Sequence, residues 1–380
     1  MIVTSLPRKY YSKWTEIDLS ALEHNLKRLQ NACQPASAQI MAVVKANAYG
    51  HNVSQIAPAL FQQGITHYGV ATLGEALHLK QLLPQAEHIL ILGALSVSQY
   101  RLALEEGFAL MLHTLAHLPI LEDLARAIGR PAEAHLKVDT GMGRVGILPT
   151  EMGAALDQLA LTEWVNLRGI CSHLATSDRP ACPHIHRQIQ IFNEVLSYAR
   201  SHLREPEALI YHLANSDAVF QYPEAHYNLV RPGISLYGYG GAQGTGLKPV
   251  LALKAQITQL KDVPAGTALG YGRSFITARP SRIGVIALGY ADGLNRLLSN
   301  QQEILVKGQR LPLVGRISMD QCTVDLTDLQ QTIEVGETVT FIGQEGDETI
   351  TAQDWADKIG TIPYEVLTGL GTRLPRWAAE

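Results

Sequence analysis

The chain is short of cysteine, of long apolar runs and of net charge. Its four cysteines among 380 residues, Cys33, Cys171, Cys182 and Cys322, form no Cys-x-x-Cys pair, which argues against a disulfide framework or a thiolate zinc site. No apolar stretch reaches the roughly 18 residues that span a bilayer, and the start of the chain lacks the apolar region of a signal peptide. A net charge of −4 without a stripe of basic residues argues against nucleic acid as a partner. We therefore expect a cytoplasmic protein.

The first part of the chain alternates short apolar runs with amphipathic stretches. A chain of this length is expected to form two domains, or one large barrel with a smaller module. Eight apolar runs that alternate with helical periodicity predict a (β/α)8 barrel. The predicted strands are 40–45, 67–71, 88–93, 108–112, 133–139, 166–172, 208–213 and 228–235, and helices are predicted at 19–29, 54–61, 73–83 and 185–203.

A glycine-rich segment at 238–246 marks the end of the predicted barrel. Five glycines in this segment, followed by Pro249, predict a flexible connection. Beyond it the apolar residues recur with period two, which predicts an all-β domain with one late helix at 352–359 capped by Thr351. The sequence therefore predicts a barrel domain at 1–245 and a β domain at 246–380. The strands predicted for the second domain are 250–260, 282–289, 303–314, 322–326 and 338–342.

The most informative segment is VVKANAYGH at 43–51. Its apolar start and the break at Gly50 predict a buried strand whose last side chain, Lys45, emerges at the carboxyl end. Burial lowers the pKa of a lysine amine from about 10.4 towards neutrality and makes it a nucleophile that can form an imine with an aldehyde. The alternative is a surface lysine that simply closes a strand.

Other reactive residues follow the carboxyl ends of the predicted barrel strands. This end of a (β/α)8 barrel carries the catalytic site, and backbone amides after the last two strands tend to hold phosphate. Ser216 at the start of a helix and the amides of Gly233 and Ile234 form such a predicted phosphate site. A lysine imine together with a phosphate site implies pyridoxal phosphate. The residues on this rim are Lys45, Lys137, Asp139, Arg144, His173, Asn215, Ser216, Arg231, Gly233 and Ile234.

The chain resembles the alanine racemases of the barrel-type, pyridoxal-phosphate-dependent family over nearly its whole length. Several independent sequence motifs occur in the family's order. In the predicted barrel they are VVKANAYGH at 43–51, LKVDTGMGRVG at 136–146, SHLATSD at 172–178, ANS at 214–216 and RPGISLYG at 231–238. In the second domain they are LGYGR at 269–273, GYADG at 289–293, GRISMD at 315–320 and PYEV at 363–366.

The resemblance implies a racemase with two bases. Lys45 would carry the cofactor and then act as one base, while Tyr271 of a second copy would be the other, so that the active enzyme is a homodimer. A phenol with a pKa near 10 needs help to act as a base. By similarity, Tyr271 contacts His173, which contacts Arg231, whose guanidinium faces the pyridine nitrogen of the cofactor and leaves it unprotonated.

The resemblance also implies roles for the remaining residues. Arg144 would bind the phenolic oxygen of the cofactor and the substrate carboxylate, oriented by a carbamylated Lys137. Met319 would offer its backbone amide to the substrate carboxylate from the second copy. The residues that would hold the cofactor are Tyr49, His173, Asn215, Ser216, Arg231, Gly233, Ile234 and Tyr364, and those expected to line a narrow entrance are Asp178, Tyr290 and Arg316.

Each of these residues also has a structural explanation. His173 alone is typical of a hydrogen-bonded core histidine, and Tyr271 between two glycines is typical of an aromatic packed on its own turn. Arg231 before a proline fits a surface ion pair. Asp139 is a candidate turn cap, and Lys137 a candidate partner for its carboxylate.

Two further patterns are weaker. Gly141, Gly143 and Gly146 spell the dinucleotide-binding Gly-x-Gly-x-x-Gly, but the next helix starts only after Pro149, so these glycines do not open it. The segment with Cys182, His184 and His186 has the chemistry of metal ligands without their usual spacing, and we expect no metal there.

The predicted function is interconversion of L- and D-alanine, which in bacteria supplies cell-wall peptidoglycan. A racemase of broader specificity would share every one of these motifs, because one methylene changes binding by only about 1–3 kcal/mol. Barrel-type amino-acid decarboxylases share the fold and use a cysteine from the partner, and Cys322 lies near Met319 in the sequence. A non-enzymatic cofactor carrier is disfavoured by the long second domain.

Overall fold

The computed structural model describes residues 7–179, 182–241 and 244–379. Contacts divide the chain into two compact units. The larger contains Leu22–Ala48 and Val53–Lys248, and the smaller contains the chain up to Ala21, Tyr49–Asn52 and the chain from Pro249 onwards. The sequence placed one boundary between residues 245 and 246, whereas the first strand, β1 (Lys13–Ile17), groups with the C-terminal part of the chain.

The larger unit contains a closed barrel of parallel strands, which confirms the predicted fold. Its strands are short and rich in β-branched and other apolar residues, and their interior side chains form a core that includes Met41, Leu90, Met111 and Leu229. The barrel strands are β2 (Gln39–Val43), β3 (His67–Val70), β4 (His88–Ile91), β5 (Ala109–Leu112), β6 (Ala132–Lys137), β7 (Val165–Cys171), β8 (Ile210–His212) and β9 (Leu229–Val230).

Amphipathic helices connect these strands. Several begin at a side-chain cap, as where Thr72 and Glu75 form a capping box and where Asn215 accepts the Ala218 amide. The helices of this part of the chain are α1 (Leu19–Cys33), α2 (Val53–Gln62), α3 (Leu73–Leu82), α4 (Val97–Glu105), α5 (Leu118–Ile128), α6 (Met152–Ala160), α7 (His184–His202) and α8 (Ser216–Gln221).

The smaller unit is built on a mostly antiparallel sheet around one long strand, β10 (Leu251–Val263). Its first residues alternate between buried and half-buried, as the period-two pattern predicts. The other strands are β11 (Ala268–Leu269), β12 (Phe275–Ile276), β13 (Ser281–Ile286), β14 (Glu303–Val306), β15 (Gln309–Pro312), β16 (Cys322–Asp325), β17 (Thr338–Glu345), β18 (Glu348–Ile350) and β19 (Arg376–Ala378). Strand β1 pairs antiparallel with β10 and parallel with β19.

Two details differ from the sequence-based prediction. The segment predicted as one strand at 303–314 is a hairpin of β14 and β15, because Lys307 and Gly308 adopt φ of 51° and 77° and turn the chain. Lys45 does not end β2, which stops at Val43. The late helix is confirmed as α9 (Ala352–Ile359), capped by Thr351 and followed by α10 (Pro363–Thr368).

In the part of the chain that the structure describes, no helix is both long enough and apolar enough to span a bilayer.

Candidate active site

Lys45 lies just beyond the carboxyl end of the first barrel strand. The preceding residues are fixed by two hydrogen bonds, from the Val44 amide to the Gly69 carbonyl at 2.9 Å and from the Tyr237 hydroxyl to the Val43 carbonyl at 3.2 Å. Burial lowers the pKa of the Lys45 amine, and the nearby charge of Arg144 lowers it further. The structure therefore provides an amine with raised nucleophilicity on this rim, as the sequence predicts.

The backbone after Lys45 forms a left-handed turn. Ala46, Asn47, Ala48 and Tyr49 have φ of 51°, 54°, 55° and 53°. Each L-residue in this conformation costs about 1–2 kcal/mol relative to the right-handed one, so the turn persists only because its surroundings hold it. Strain of this kind is concentrated at functional sites.

Glu75 holds this turn and was not identified from the sequence. Its carboxylate accepts the Ala46 amide at 2.8 Å through one oxygen and the Ala71 amide at 2.8 Å through the other. The same side chain closes the capping box of α3 with Thr72. The Thr72-x-x-Glu75 pattern at the start of a helix was the available sequence signal, but it does not predict the bond to Ala46.

Arg231 is the centre of a buried hydrogen-bond network. Its guanidinium donates to His212 Nδ1 at 2.8 Å, to the Ser172 carbonyl at 2.8 Å and to the Leu213 carbonyl at 3.2 Å, and lies 3.3 Å from His173 Nδ1. Burial, and then the charge of Arg231, lower the pKa of His173 and of His212 well below the usual range. Both imidazoles are therefore neutral acceptors, and the surface ion pair considered for Arg231 is absent among the described residues.

The network continues towards the other end of the barrel through His135, which sequence reasoning also missed. His212 Nε2 and His135 Nδ1 lie 2.9 Å apart. Because arginine only donates, His212 accepts at Nδ1 and carries its proton on Nε2, which donates to His135. Burial lowers the pKa of His135 to about 3, so this ring is neutral as well.

Lys137, Asp139 and Arg144 lie on and after strand β6. Asp139 accepts the amides of Gly141, Met142 and Gly143 at 2.9–3.1 Å, which is the turn cap considered for it. Lys137 forms no ion pair with Asp139 within the described ranges, and burial lowers its pKa to about 8. Arg144 extends from the glycine turn, exposed and without a hydrogen bond to any described residue.

The predicted phosphate site is formed by neighbouring segments of the larger unit. Ser216, the first residue of α8, accepts the Gly233 amide at 2.9 Å and the Ser235 amide at 3.3 Å. The Ser235 hydroxyl is fully buried and has no partner among the residues described here. A buried hydroxyl without a protein partner can still form a hydrogen bond with a water or a ligand.

Tyr271, Met319 and the predicted entrance residues of the smaller unit are exposed. Tyr271 is 68% exposed on a turn between Gly270 and Gly272, so it does not pack over its neighbours. Met319 is 53% exposed, and its amide donates to no described residue. Tyr290 is 42% exposed.

Tyr49 and Tyr364 form an aromatic pair within the smaller unit. Their ring centroids lie 5.9 Å apart with the planes inclined at 53°. Such a tilted arrangement stabilises aromatic pairs and fixes the ring orientations. Both residues were predicted to belong to one site, and the structure places them in contact with each other.

Comparison with known proteins gives the family. The model for "Alanine racemase, N-terminal domain" matches residues 17–240, and the model for "Alanine racemase, C-terminal domain" matches residues 250–378. The chain belongs to the alanine racemase family. It is 38% identical over 366 residues to alanine racemase 2 of Caldanaerobacter subterraneus subsp. tengcongensis, covering 95% of this chain and 93% of that protein.

Solved alanine racemases have the same fold. The enzyme from Streptomyces lavendulae aligns with a TM-score of 0.91 at 35% identity, covering 99% of this chain and 98% of that one. The alanine racemase from Bartonella henselae, solved with covalently bound pyridoxal phosphate, aligns with a TM-score of 0.88 at 34% identity, covering 97% and 99%. The resemblance drawn from the sequence motifs is confirmed at the level of the family.

The glycines and histidines of the two weaker patterns have structural contacts in this alanine racemase family member. Gly141, Gly143 and Gly146 all have positive φ and form the turn that carries Arg144 rather than the start of a helix. His184 bonds the Gly141 carbonyl at 2.9 Å, and His186 packs against Tyr222. Among the residues that the structure covers, no group of three or more His, Cys, Asp or Glu is placed to hold a metal ion.

Proposed function

We propose that the alanine racemase activity of this chain uses two bases, Lys45 and Tyr271 of a second copy. Inverting a stereocentre requires one proton to leave one face of the α-carbon and another to arrive on the opposite face. The observation that carries the proposal is the half-buried amine of Lys45 beside the cations Arg144 and Arg231, in a chain that matches the alanine racemase family along its length.

The residues present fit pyridoxal phosphate, the cofactor of this family. A phosphate, a phenolate and a substrate carboxylate all bring negative charge, and the rim offers Lys45, Lys137 and Arg144, none of which forms an ion pair with a described residue. Ser216 is a predicted phosphate contact, and its hydroxyl accepts the amide of Ser235, whose own hydroxyl has no described partner. When bound through Lys45, the cofactor withdraws electrons from the α-carbon of the substrate. Asn215, Gly233, Ile234, Tyr49 and Tyr364 stay predicted cofactor contacts.

Lys45 combines a lowered pKa with a fixed position. Burial lowers the pKa of its amine, so the amine releases a proton more readily than an ordinary lysine does. The hydrogen bond from the Ala46 amide to Glu75 anchors the backbone beside it. Both properties support its proposed role as a base.

Arg231 is proposed to face the pyridine nitrogen as a hydrogen-bond donor. A guanidinium does not release its proton, so the ring nitrogen stays unprotonated and the cofactor is a weaker electron acceptor. This limits side reactions such as transamination. We expect Arg231→Glu to raise pyruvate formation relative to racemisation, and an unchanged ratio would contradict this role.

The second base and the homodimer are proposed together. Tyr271 and Met319 are both exposed, as expected for groups that act on a second copy's site. The unpartnered amide of Met319 suits a substrate carboxylate, and Tyr271 would reach His173 of the second copy. Arg144 is free to bind the same carboxylate, and Asp178, Tyr290 and Arg316 stay candidates for the entrance.

Lys137 is a candidate for carbamylation. The reaction requires a neutral amine, and burial already lowers the pKa of Lys137 to about 8. Carbamylation would replace an unpaired buried cation with an anion facing Arg144. We also propose a cytoplasmic location and a role in supplying D-alanine to peptidoglycan.

The decarboxylase alternative is disfavoured by the surroundings of Cys322. Its side chain is 4% exposed on strand β16, and burial raises the pKa of its thiol. A thiol that is buried and protonated is a poor reactive group. A racemase of broader specificity stays open and is tested by substrate competition.

Incubation with L-alanine in deuterated water tests the function. D-alanine with deuterium at the α-carbon and no carbon dioxide is the expected result, and borohydride reduction should label Lys45. Tyr271→Phe should keep the label but lose racemisation, with Tyr198→Phe on the surface of α7 as control. Because the two enantiomers have equal free energies, kcat/KM must fall equally in both directions. A fully active Tyr271→Phe would contradict the second base.

A further inference from the structure

Gln188 is a fully buried polar side chain outside the predicted site. It lies on helix α7, which covers the barrel, and its exposed fraction is 0%. A glutamine amide that is removed from water must have its donors and acceptor satisfied, since an unpaired one costs about 1–3 kcal/mol. The hydrogen-bond partners of Gln188 therefore show which segments of the chain its side chain holds together.

All three partners of Gln188 lie beyond the carboxyl ends of barrel strands. Nε2 donates to the His173 carbonyl at 3.0 Å and to Thr140 Oγ1 at 3.3 Å, and Oε1 accepts the Ala175 amide at 2.8 Å. Thr140 also bonds the Ser172 hydroxyl at 2.8 Å. One amide thus joins the segment after strand β6 to the segment after strand β7.

These two segments carry side chains whose relative positions matter for the proposed reaction. The first continues into the turn that presents Arg144, and the second contains His173, whose ring lies 3.3 Å from Arg231. The Arg231 contact is already long for a hydrogen bond, so a small displacement of His173 would break it.

We propose that Gln188 is a positioning residue that sets the place of His173, and through it the orientation of the tyrosine base. This inference rests on the proposed function, because it assumes that Tyr271 of a second copy contacts His173. Leucine at this position satisfies none of the three partners, and glutamate cannot donate to the His173 carbonyl. Only the amide has a donor and an acceptor in the required places.

The first test uses the chain without cofactor and needs no activity. Gln188→Leu is compared with Gln190→Leu, which removes an exposed glutamine two residues along the same helix. Thermal unfolding first shows that both variants fold. Hydrogen–deuterium exchange should then show faster exchange of the Ala175 amide in Gln188→Leu alone, and equal protection in both variants would overturn the proposal.

The second test separates positioning from a purely structural role. In Gln188→Leu we expect kcat/KM to fall about 10- to 100-fold, as for a displacement of up to an ångström. The α-deuterium isotope effect should rise in the direction in which Tyr271 removes the proton, and not in the reverse direction. Equal isotope effects in both directions, with a loss no larger than in Gln190→Leu, would overturn the proposal.

Gln188→Glu provides a second variant. It still accepts the Ala175 amide, and its charge adds an anion to surroundings in which His173 faces the cations Arg231, Lys137, Arg144 and Lys45. As a carboxylate it cannot donate to the His173 carbonyl, so its isotope effects should change in the same direction as in Gln188→Leu, and unchanged isotope effects would overturn the proposal. If neither variant folds, Gln188 serves the fold alone and the proposal is wrong.

Failure of the proposed function has a different outcome. In that case the unmodified chain itself would not racemise alanine in deuterated water, while the exchange experiment at Ala175 would still report on the contact. An active unmodified chain together with unchanged exchange and isotope effects in Gln188→Leu would reject the positioning role and leave the racemase intact.

Discussion

The two ends of the barrel differ in how their charges are balanced. At the carboxyl end, Lys137 and Arg144 have no anionic partner among the described residues, and Arg231 bonds carbonyls and imidazoles. At the amino end, a cavity of about 590 Å3 is lined by both cationic and anionic side chains, and Arg168 forms an ion pair with Glu133. The same strands thus support one end where cations and anions form ion pairs and another where Lys137, Arg144 and Arg231 form none with a described residue.

The largest difference in the free energy of unfolding is expected between substitutions of Arg231, at the carboxyl end, and of Arg168, at the amino end. Arg231→Leu leaves the Ser172 and Leu213 carbonyls and His212 without their donor, and should cost at least about 3 kcal/mol in free energy of unfolding, since each unsatisfied buried group costs about 1–3 kcal/mol. Arg168→Leu removes a half-exposed partner of Glu133 and should cost less than about 1 kcal/mol. Urea unfolding of the cofactor-free protein measures both. Equal losses would show that the ends are energetically alike.

Substitution of Lys137 is expected to change the free energy of unfolding less, and to stabilise the fold rather than destabilise it. Because its pKa is lowered to about 8 in the fold, its charged form destabilises the native state below that pH. In buffer free of carbon dioxide, Lys137→Met should be more stable than the unmodified chain at pH 7, by about 1–3 kcal/mol.

The pH dependence gives the control for this variant. The unfolded lysine still binds its proton between the lowered pKa and the ordinary one, whereas the folded one does not. The unmodified chain should therefore gain stability as the pH rises from about 8 to 10.5, and Lys137→Met should lack this gain. Parallel profiles for the two chains would argue against an unpaired cation.

At the amino end of the barrel, we expect acid to destabilise the fold through protonation of His67. Burial, and then the neighbouring His88, lower the pKa of His67 to about 4. Its stabilising contribution is present above the ordinary pKa of 6.5 and is lost as the pH falls through 4. His67→Gln should reduce the loss of stability between pH 7 and pH 4 by roughly 2 kcal/mol, while the exposed His78→Gln should not. Calorimetry at several pH values measures the stability of both variants and of the unmodified chain.

The smallest effect concerns the strained turn at the carboxyl end. At Ala46, with φ of 51°, glycine relieves about 1 kcal/mol of strain but loses a similar conformational entropy on folding. Ala46→Gly should therefore change the free energy of unfolding by less than about 1 kcal/mol. Ala127→Gly, on the exposed face of α5, should cost about 1 kcal/mol. A comparable loss at both positions would show that the turn is not strained.

The sequence predicted the barrel well because its signal is local. Runs such as 67–71 and 88–93 contain enough apolar residues to define strands within a residue or two of β3 and β4. Strand β1 was missed because its sequence, KWTEI, contains two charged residues and no apolar run, and because its partners lie far along the chain. The hairpin at 303–314 was missed because a single Lys307–Gly308 turn interrupts an otherwise continuous run.

The site was predictable where family motifs named a residue, and not where a contact depends on folding. The motifs named Lys45, Arg231 and His173, whose catalytic roles stay predictions, and the structure places the last two in contact. Glu75, His212 and Gln188 were not, because their roles depend on side chains brought together by different barrel units.

Strand β1 cannot pair until late in the synthesis of the chain. Its central residue Thr15 pairs with Leu253 on one side and Arg376 on the other, so its partners leave the ribosome more than two hundred residues later. At roughly 5–20 residues per second, this strand waits on the order of ten seconds or more with both edges open. We conclude that the newly made chain is most exposed to misassociation while its first strand has no neighbours.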